Sequence, residues 1–146
     1  MERRVNIEQA HPAAYKAMYG LVASLAKSSI TPIQKELIKM RASQINSCAF
    51  CINMHTKEAL GIGETQQRIF LLSAWRETEL FTEEEKAIIM LTEEVTLISQ
   101  YGLSDETYKL AQKYFSEETI AEIIMAIVLI NAWNRIAVST QLPLGA

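Results

Sequence analysis

The sequence is short of turn-formers. Five glycines and three prolines in 146 residues fall well below the roughly 12% of average usage. That leaves too little turn chemistry for a sandwich or barrel of many short strands. Cysteine is scarce as well. Cys48 and Cys51 are the only two, and a pair three positions apart is not the spread framework of a secreted, disulfide-stapled domain. No basic stripe is present: 14 Lys and Arg face 17 Asp and Glu, for a net charge of −3. Nucleic acid is therefore not expected as a partner. The strongest apolar run, Ile120 to Ile130, is interrupted by Glu122 and is shorter than the ~18 residues of a membrane span. Residues Met1 to Asn6 lack the apolar stretch of a secretory signal, so the expected location is cytoplasmic, away from membranes.

What remains is a length of one domain, expected to span 1–146 and able to bury roughly 68–70% of its unfolded surface. Helix signals recur through it. Thr31-Pro32-Ile33-Gln34 and Thr82-Glu83-Glu84-Glu85 read as capping boxes. Ser104 and Ser116 each precede acidic first-turn residues, and Gly61 and Gly63 read as a stop. No segment alternates with period two between turn signals. The expectation is an all-α bundle of six or seven helices. They are placed at about Pro12–Lys27, Pro32–Asn46, Cys48–Leu60, Glu64–Trp75, Glu83–Gln100, Asp105–Tyr114 and Glu117–Ser139. The last is apolar nearly all round between Ile120 and Ile130, which suits either a central helix or a contact with another subunit.

The chemistry concentrates between Glu36 and His55. If Cys48 opens a helix capped by Ser47, then Cys51 lies one turn on and His55 one turn beyond. Offsets of i, i+3 and i+7 put all three on one face. Cα atoms three apart in a helix are ~5 Å apart, inside the range a disulfide accepts, so the pair can close and open with little backbone movement. A helix N-terminus favours a thiolate at Cys48, and His55 is placed to take the proton of Cys51. Glu36, on the preceding helix, is the natural carboxylate to orient His55, although spacing alone does not bring it there.

Other readings of the same residues stay open. Cys48, Cys51 and His55 are three of the four ligands a structural zinc site usually has. Two buried cysteines beside a satisfied core histidine fit the pattern too, as does an oligomeric redox sensor without turnover. His11, beside Pro12, reads as solvated. Phe50, Ile52 and Met54 either line an approach for an organic substrate or belong to the core. Trp75 and Trp133 read as buried rings with satisfied N–H groups, and Arg76 and Arg135 as partners of nearby acids such as Glu77.

The stretch from Glu36 to Gly61 resembles the core motif of the alkylhydroperoxidase AhpD-like, carboxymuconolactone decarboxylase superfamily. The matching residues are Glu36, Arg41-Ala42-Ser43, Asn46, Cys48-Ala49-Phe50-Cys51, His55 and Gly61. Trp75-Arg76-Glu77, Phe81-Thr82 and Asn131-Ala132-Trp133-Asn134-Arg135 are similar to segments of its small single-domain members. The resemblance implies an all-α fold and a thiol peroxidase that needs no cofactor. Cys51 would attack the hydroperoxide, Cys48 would resolve the product, and Glu36 and His55 would relay protons. An external dithiol would be the reductant, and the assembly a homo-oligomer, a trimer or hexamer. The decarboxylase relatives lack the paired cysteines. One departure stands out: Phe50 occupies the place where AhpD has a further histidine, which removes one candidate proton carrier.

Overall fold

The computed structural model describes residue 2 and residues 4–144. Among these there is no strand. There are nine α-helices, α1 (Ile7–Ala10), α2 (Pro12–Ala26), α3 (Pro32–Ile45), α4 (Ala49–Gly61), α5 (Gln66–Leu71), α6 (Glu83–Thr96), α7 (Ile98–Tyr101), α8 (Asp105–Tyr114) and α9 (Glu117–Thr140). A 3₁₀ segment, Leu72–Glu77, follows α5. The all-α expectation holds, with more helices than the periodicity suggested.

The extra elements have local causes. The helix expected over Glu83–Gln100 ends at Thr96. Leu97 leaves helical geometry at φ −94°, ψ 33°, and α7 restarts beyond it. Ile98 continues the apolar spacing but is exposed, so the pattern ran past the break. The helix expected from Glu64 begins instead at Gln66, capped by Thr65, because the Glu64 carboxylate accepts from Thr65 N at 2.8 Å and Arg68 Nε at 2.8 Å. His11 is exposed, and its Nδ1 caps α2 by accepting from Ala14 N at 3.3 Å. Both capping boxes form as read.

α3 is the hub, since both of its faces are covered. Ile38 and Ala42 pack with Ile88 and Leu91 of α6 and with Ile123 and Ile127 of α9. Leu37 and Met40, turned the other way, pack with Ala59 of α4, Leu72, Trp75 and Ile89. Each such aliphatic side chain contributes about 1.5–3 kcal/mol on burial, so these two clusters hold the bundle.

Of the two readings its composition left open, α9 takes that of the central helix. Ile120, Ile123, Ile127 and Ile130 form a buried stripe, while Met125, Val128 and Val138 remain exposed. By length and composition alone α9 could cross a membrane, the only such helix among the described residues. Here it packs against α2, α3, α4, α6 and α8 as the core helix.

The connection from α3 to α4 is the most specific feature of the fold. Ser47 N donates to Gln44 O at 3.2 Å and Cys48 N to Ser43 O at 2.9 Å, with Ser47 in the left-handed region at φ 53°. This is a Schellman ending with serine where glycine is usual. Ser47 therefore does not cap the next helix, as the sequence suggested. Cys48 does, its Sγ accepting from Cys51 N at 3.4 Å. Asn46 anchors the turn by donating through Nδ2 to Asn131 Oδ1 and Asn134 Oδ1, both at 2.9 Å. Asn134 passes the chain on to Ser43 Oγ at 3.0 Å, and Asn131 to Thr96 Oγ1 at 3.0 Å.

Two substitutions separate these terms. Asn46→Ala leaves the Asn134 Oδ1 without its donor and the Asn131 Oδ1 with Arg135 alone, and is expected to cost about 1–3 kcal/mol. Ser47→Gly relieves the left-handed conformation at an exposed position and should add about 0.5–1 kcal/mol. Urea unfolding of the two variants against the parent measures both signs.

Candidate active site

The four residues singled out from the sequence come from α3, which carries Glu36, and from α4 and its N-cap, which carry Cys48, Cys51 and His55. Cys48 and Cys51 are joined as a disulfide, with Cα atoms 5.4 Å apart. Both sulfur-bearing residues are buried, packed with Ala137 of α9, Phe50 and Leu142. The pair sits at the N-terminus of the 13-residue α4, where the helix dipole favours a thiolate once the bond is reduced. His55 is also buried and stands one turn beyond Cys51, the spacing at which helix side chains are neighbours.

Glu36 reaches the site from α3. Its Oε2 lies 3.2 Å from His55 Nδ1, so the structure brings together what spacing alone could not. Two further residues complete the group. Lys39, one turn after Glu36, donates from Nζ to Glu36 Oε1 at 2.6 Å. Glu58, one turn after His55, places Oε2 2.8 Å from the same Nδ1. Sequence reasoning missed both, although each lies three residues from a predicted site residue on its helix. Both carboxylates can only accept when ionised, so Nδ1 carries the hydrogen, and in the neutral imidazole Nε2 is the acceptor nitrogen.

Burial pushes the Glu36 carboxyl up. Hydrogen bonds from His55 and Lys39, and the charges of both, outweigh it and hold the carboxyl below its ordinary value. Glu36 therefore stays an anion through the neutral range and fixes the orientation of the imidazole.

Metal binding can be weighed on the same geometry. With the sulfurs paired as a disulfide, neither is a thiolate ligand. A different trio, Glu36, His55 and Glu58, has one ligand atom from each within 4.8 Å of the others. The Lys39 ammonium already supplies Glu36 with a positive charge at 2.6 Å, and a cation placed there would be repelled by it.

The apolar neighbours of the cysteines divide. Phe50 packs on the disulfide, Met54 is exposed, and Ile52 lines a groove of about 450 Å³ with Gln44, Thr56, Ile69 and Phe70. The tryptophans and arginines meet the expectation unequally: Trp75 is buried but Trp133 only half-buried, and Arg135 pairs with an amide rather than an acid. Trp75 donates from Nε1 to Glu93 Oε1 at 2.9 Å, and Arg41 Nε to the same oxygen at 2.9 Å. Arg76 pairs with Glu93 Oε2 at 2.7 Å, not with the expected Glu77, and lies 4.2 Å over the Trp75 ring. Trp133 meets Tyr15 and Tyr19 of α2 edge-on or tilted, and Arg135 donates to Asn131 on its own helix.

Known proteins share this arrangement's frame. The family model described as carboxymuconolactone decarboxylase family matches residues 10–94. The uncharacterised protein YdfG of Bacillus subtilis is 41% identical over 139 residues, covering 95% of each chain. A crystal structure from Agrobacterium tumefaciens, of a protein of unknown function that is a candidate antioxidant defence protein AhpD, superposes with a TM-score of 0.95 at 39% identity over 99% of each chain. The debrominase Bmp8 shares the fold alone, at TM-score 0.82 and 20% identity over 94% of this chain and 74% of its own. With its model matched across the Glu36–His55 motif and its relatives aligned along nearly the whole length, the chain belongs to the carboxymuconolactone decarboxylase superfamily that includes AhpD.

Proposed function

We propose that the protein is a thiol-dependent peroxidase and disulfide oxidoreductase acting on organic hydroperoxides. The observation that carries this reading is the Cys48–Cys51 pair at the start of α4, one turn before a histidine already held by carboxylates. Family membership supports it, since the fold is shared with AhpD-like proteins.

In the reduced protein, Cys51 gives its proton to His55 Nε2. The thiolate sulfur attacks the terminal oxygen of the hydroperoxide. An S–O bond forms as the O–O bond breaks, and the alkoxide leaves as an alcohol after taking one proton. Cys51 is then a sulfenic acid. Cys48 attacks it, the disulfide forms, and water departs. An external dithiol returns two electrons and two protons by exchange and is itself left as a disulfide.

Cys51 is assigned the attack because a positioned base contributes about 10²–10⁴-fold in rate, roughly 3–5 kcal/mol. The helix dipole that favours Cys48 is worth only about 0.3–1 kcal/mol. Substrates approach within the cell, in keeping with the cytoplasmic reading, and no nucleic acid or membrane takes part.

We also infer a homo-oligomer, a trimer or hexamer. The support is the apolar outer face of α9, where Met125, Val128 and Val138 are each 40–49% exposed, a surface that closed symmetry commonly covers.

Three variants test the chemistry. Cys48→Ser keeps a side chain that caps helices well and should react once with peroxide, stopping at a trappable sulfenic acid on Cys51. Cys51→Ser should lose the fast reaction. His55→Ala should slow it by about 10²-fold or more, with partial recovery at higher pH as the thiol ionises unaided. Fast peroxide reaction by Cys48 alone would reverse the assignment. Mass spectrometry of the oxidised parent should show both cysteines two hydrogens lighter within one peptide. Light scattering tests the assembly: a mass near the 16.5 kDa of one chain would refute it.

A further inference from the structure

Two carboxylates compete for one hydrogen on His55, and they are not alike. Glu36 is buried, its side chain 8% exposed, and it has Lys39 as counter-charge at 2.6 Å. Glu58 is nearer the ring, at 2.8 Å against 3.2 Å. Its side chain is 49% exposed, and among the described residues its only bonded partner is His55. One carboxylate is thus locked inside and neutralised, while the other joins the buried ring to water.

We propose that Glu58 is the positioning residue whose charge supports the His55 imidazolium opposite the Cys51 thiolate, leaving Glu36 to orient the ring. The proposal rests on the reading of Cys51 as the reactive thiol. When Cys51 gives its proton to Nε2, the ring becomes an imidazolium that keeps its Nδ1 hydrogen between the Glu36 and Glu58 carboxylates and faces the thiolate. Glu36 is already neutralised by Lys39, so the free negative charge opposite the ring is that of Glu58. When the O–O bond breaks, the alkoxide takes the Nε2 hydrogen and the ring returns to its neutral form. Every proton that leaves is returned, and no further reactant is needed.

The charged and titratable groups at His55 come from two elements. Glu36 and Lys39 belong to α3; Glu58 and Cys51 belong to α4 itself, and Cys48 is its N-cap. α9, which also packs on α4, brings Ala137 against the disulfide and the neutral amides of Asn131 and Asn134 against Asn46. Arg135 is turned to Asn131 of its own helix.

The test follows the ultraviolet absorbance of the thiolate against pH in Cys48→Ser protein, where Cys51 is the only thiol. Adding Glu58→Gln keeps an acceptor oxygen but removes the charge. The titration midpoint should move to higher pH, with several-fold less thiolate at neutral pH, and Glu58→Asp should recover most of the shift. An unmoved midpoint overturns the proposal. So does a midpoint that moves equally for Glu58→Asp and Glu58→Gln, because that is a structural effect of truncation. Circular dichroism checks that the exposed substitution leaves the helices in place. Peroxide consumption by the parent is measured alongside. If the midpoint shifts but the parent consumes no peroxide, the peroxidase reading fails while the role of Glu58 stands. If peroxide is consumed and the midpoint is fixed, only Glu58 is refuted.

Discussion

The site depends on how tightly α3 turns into α4. Asn46, Ser47 and Cys48 reverse the chain within three residues, closed by hydrogen bonds from Ser47 N to Gln44 O and from Cys48 N to Ser43 O. Glu36 lies eleven residues before Ser47, the middle of that turn, and His55 eight after it. At 1.5 Å per residue, they sit about 12–17 Å from the reversal along their own helices. A hairpin of two helices pairs positions at similar depth, which is how residues 19 apart come within 3.2 Å. A looser connection would change that depth and part them. The amides of Asn46, Asn131 and Asn134 hold the turn against α9, so motif residues far along the chain act on the site through packing, without touching the sulfurs.

Much of this frame was legible in the sequence. Thr31 and Thr82 announced α3 and α6, and the capping boxes formed because a hydroxyl and a glutamine or glutamate three residues on satisfy each other's backbone donors. The Cys48–Cys51 spacing was readable because helical geometry fixes Cα distances at short range. What failed was local exception. Ser47 looked like a cap, since serine usually is one, yet its backbone is left-handed, a conformation carried mostly by glycine. Leu97 ended α6 within an unbroken apolar pattern, because an exposed isoleucine carries the same period as a buried one. The approach of Glu36 to His55 was a tertiary fact that no spacing encodes. Lys39 and Glu58 were within reach of the i, i+3 rule, but charged residues at that spacing are so common on solvated faces that the rule selects neither.

Charge is treated in two ways inside this fold. Glu93 is buried and fully engaged: Arg41, Trp75 and Arg76 converge on its two oxygens. Arg68 likewise bridges Glu64 and Glu85 and donates to Leu80 O. Such groups are satisfied on every side, and breaking one partner of a buried pair costs several kcal/mol, about 3–5, so they behave as rigid joints. The Glu36–His55–Glu58 group is built differently. It has two acceptors for one ring hydrogen, and one acceptor opens to water. A joint has no use for a spare acceptor; the imidazolium proposed at His55 does.

The cysteine pair is enclosed by two helix endings of the same kind. α9 finishes as α3 does: Gln141 is left-handed at φ 53°, with Gln141 N donating to Val138 O and Leu142 N to Ala137 O. Ser47 and Gln141 are the only non-glycine residues with positive φ among those described, and both stand beside the disulfide. The residue after each left-handed position, Cys48 in one case and Leu142 in the other, turns into the same cluster with Cys51, Ala137 and Phe50. Two strained turns thus converge to seal the sulfurs, leaving Cys48 1% and Cys51 2% exposed. A small peroxide needs only a narrow opening to reach such a sulfur, but thiol–disulfide exchange requires a second sulfur to arrive at it. Any protein dithiol that reduces this bond must therefore meet it past Phe50 or Leu142. Phe50 is held in the first turn of α4, while Leu142 lies beyond the end of α9, fixed there by its N–H bond to Ala137 O.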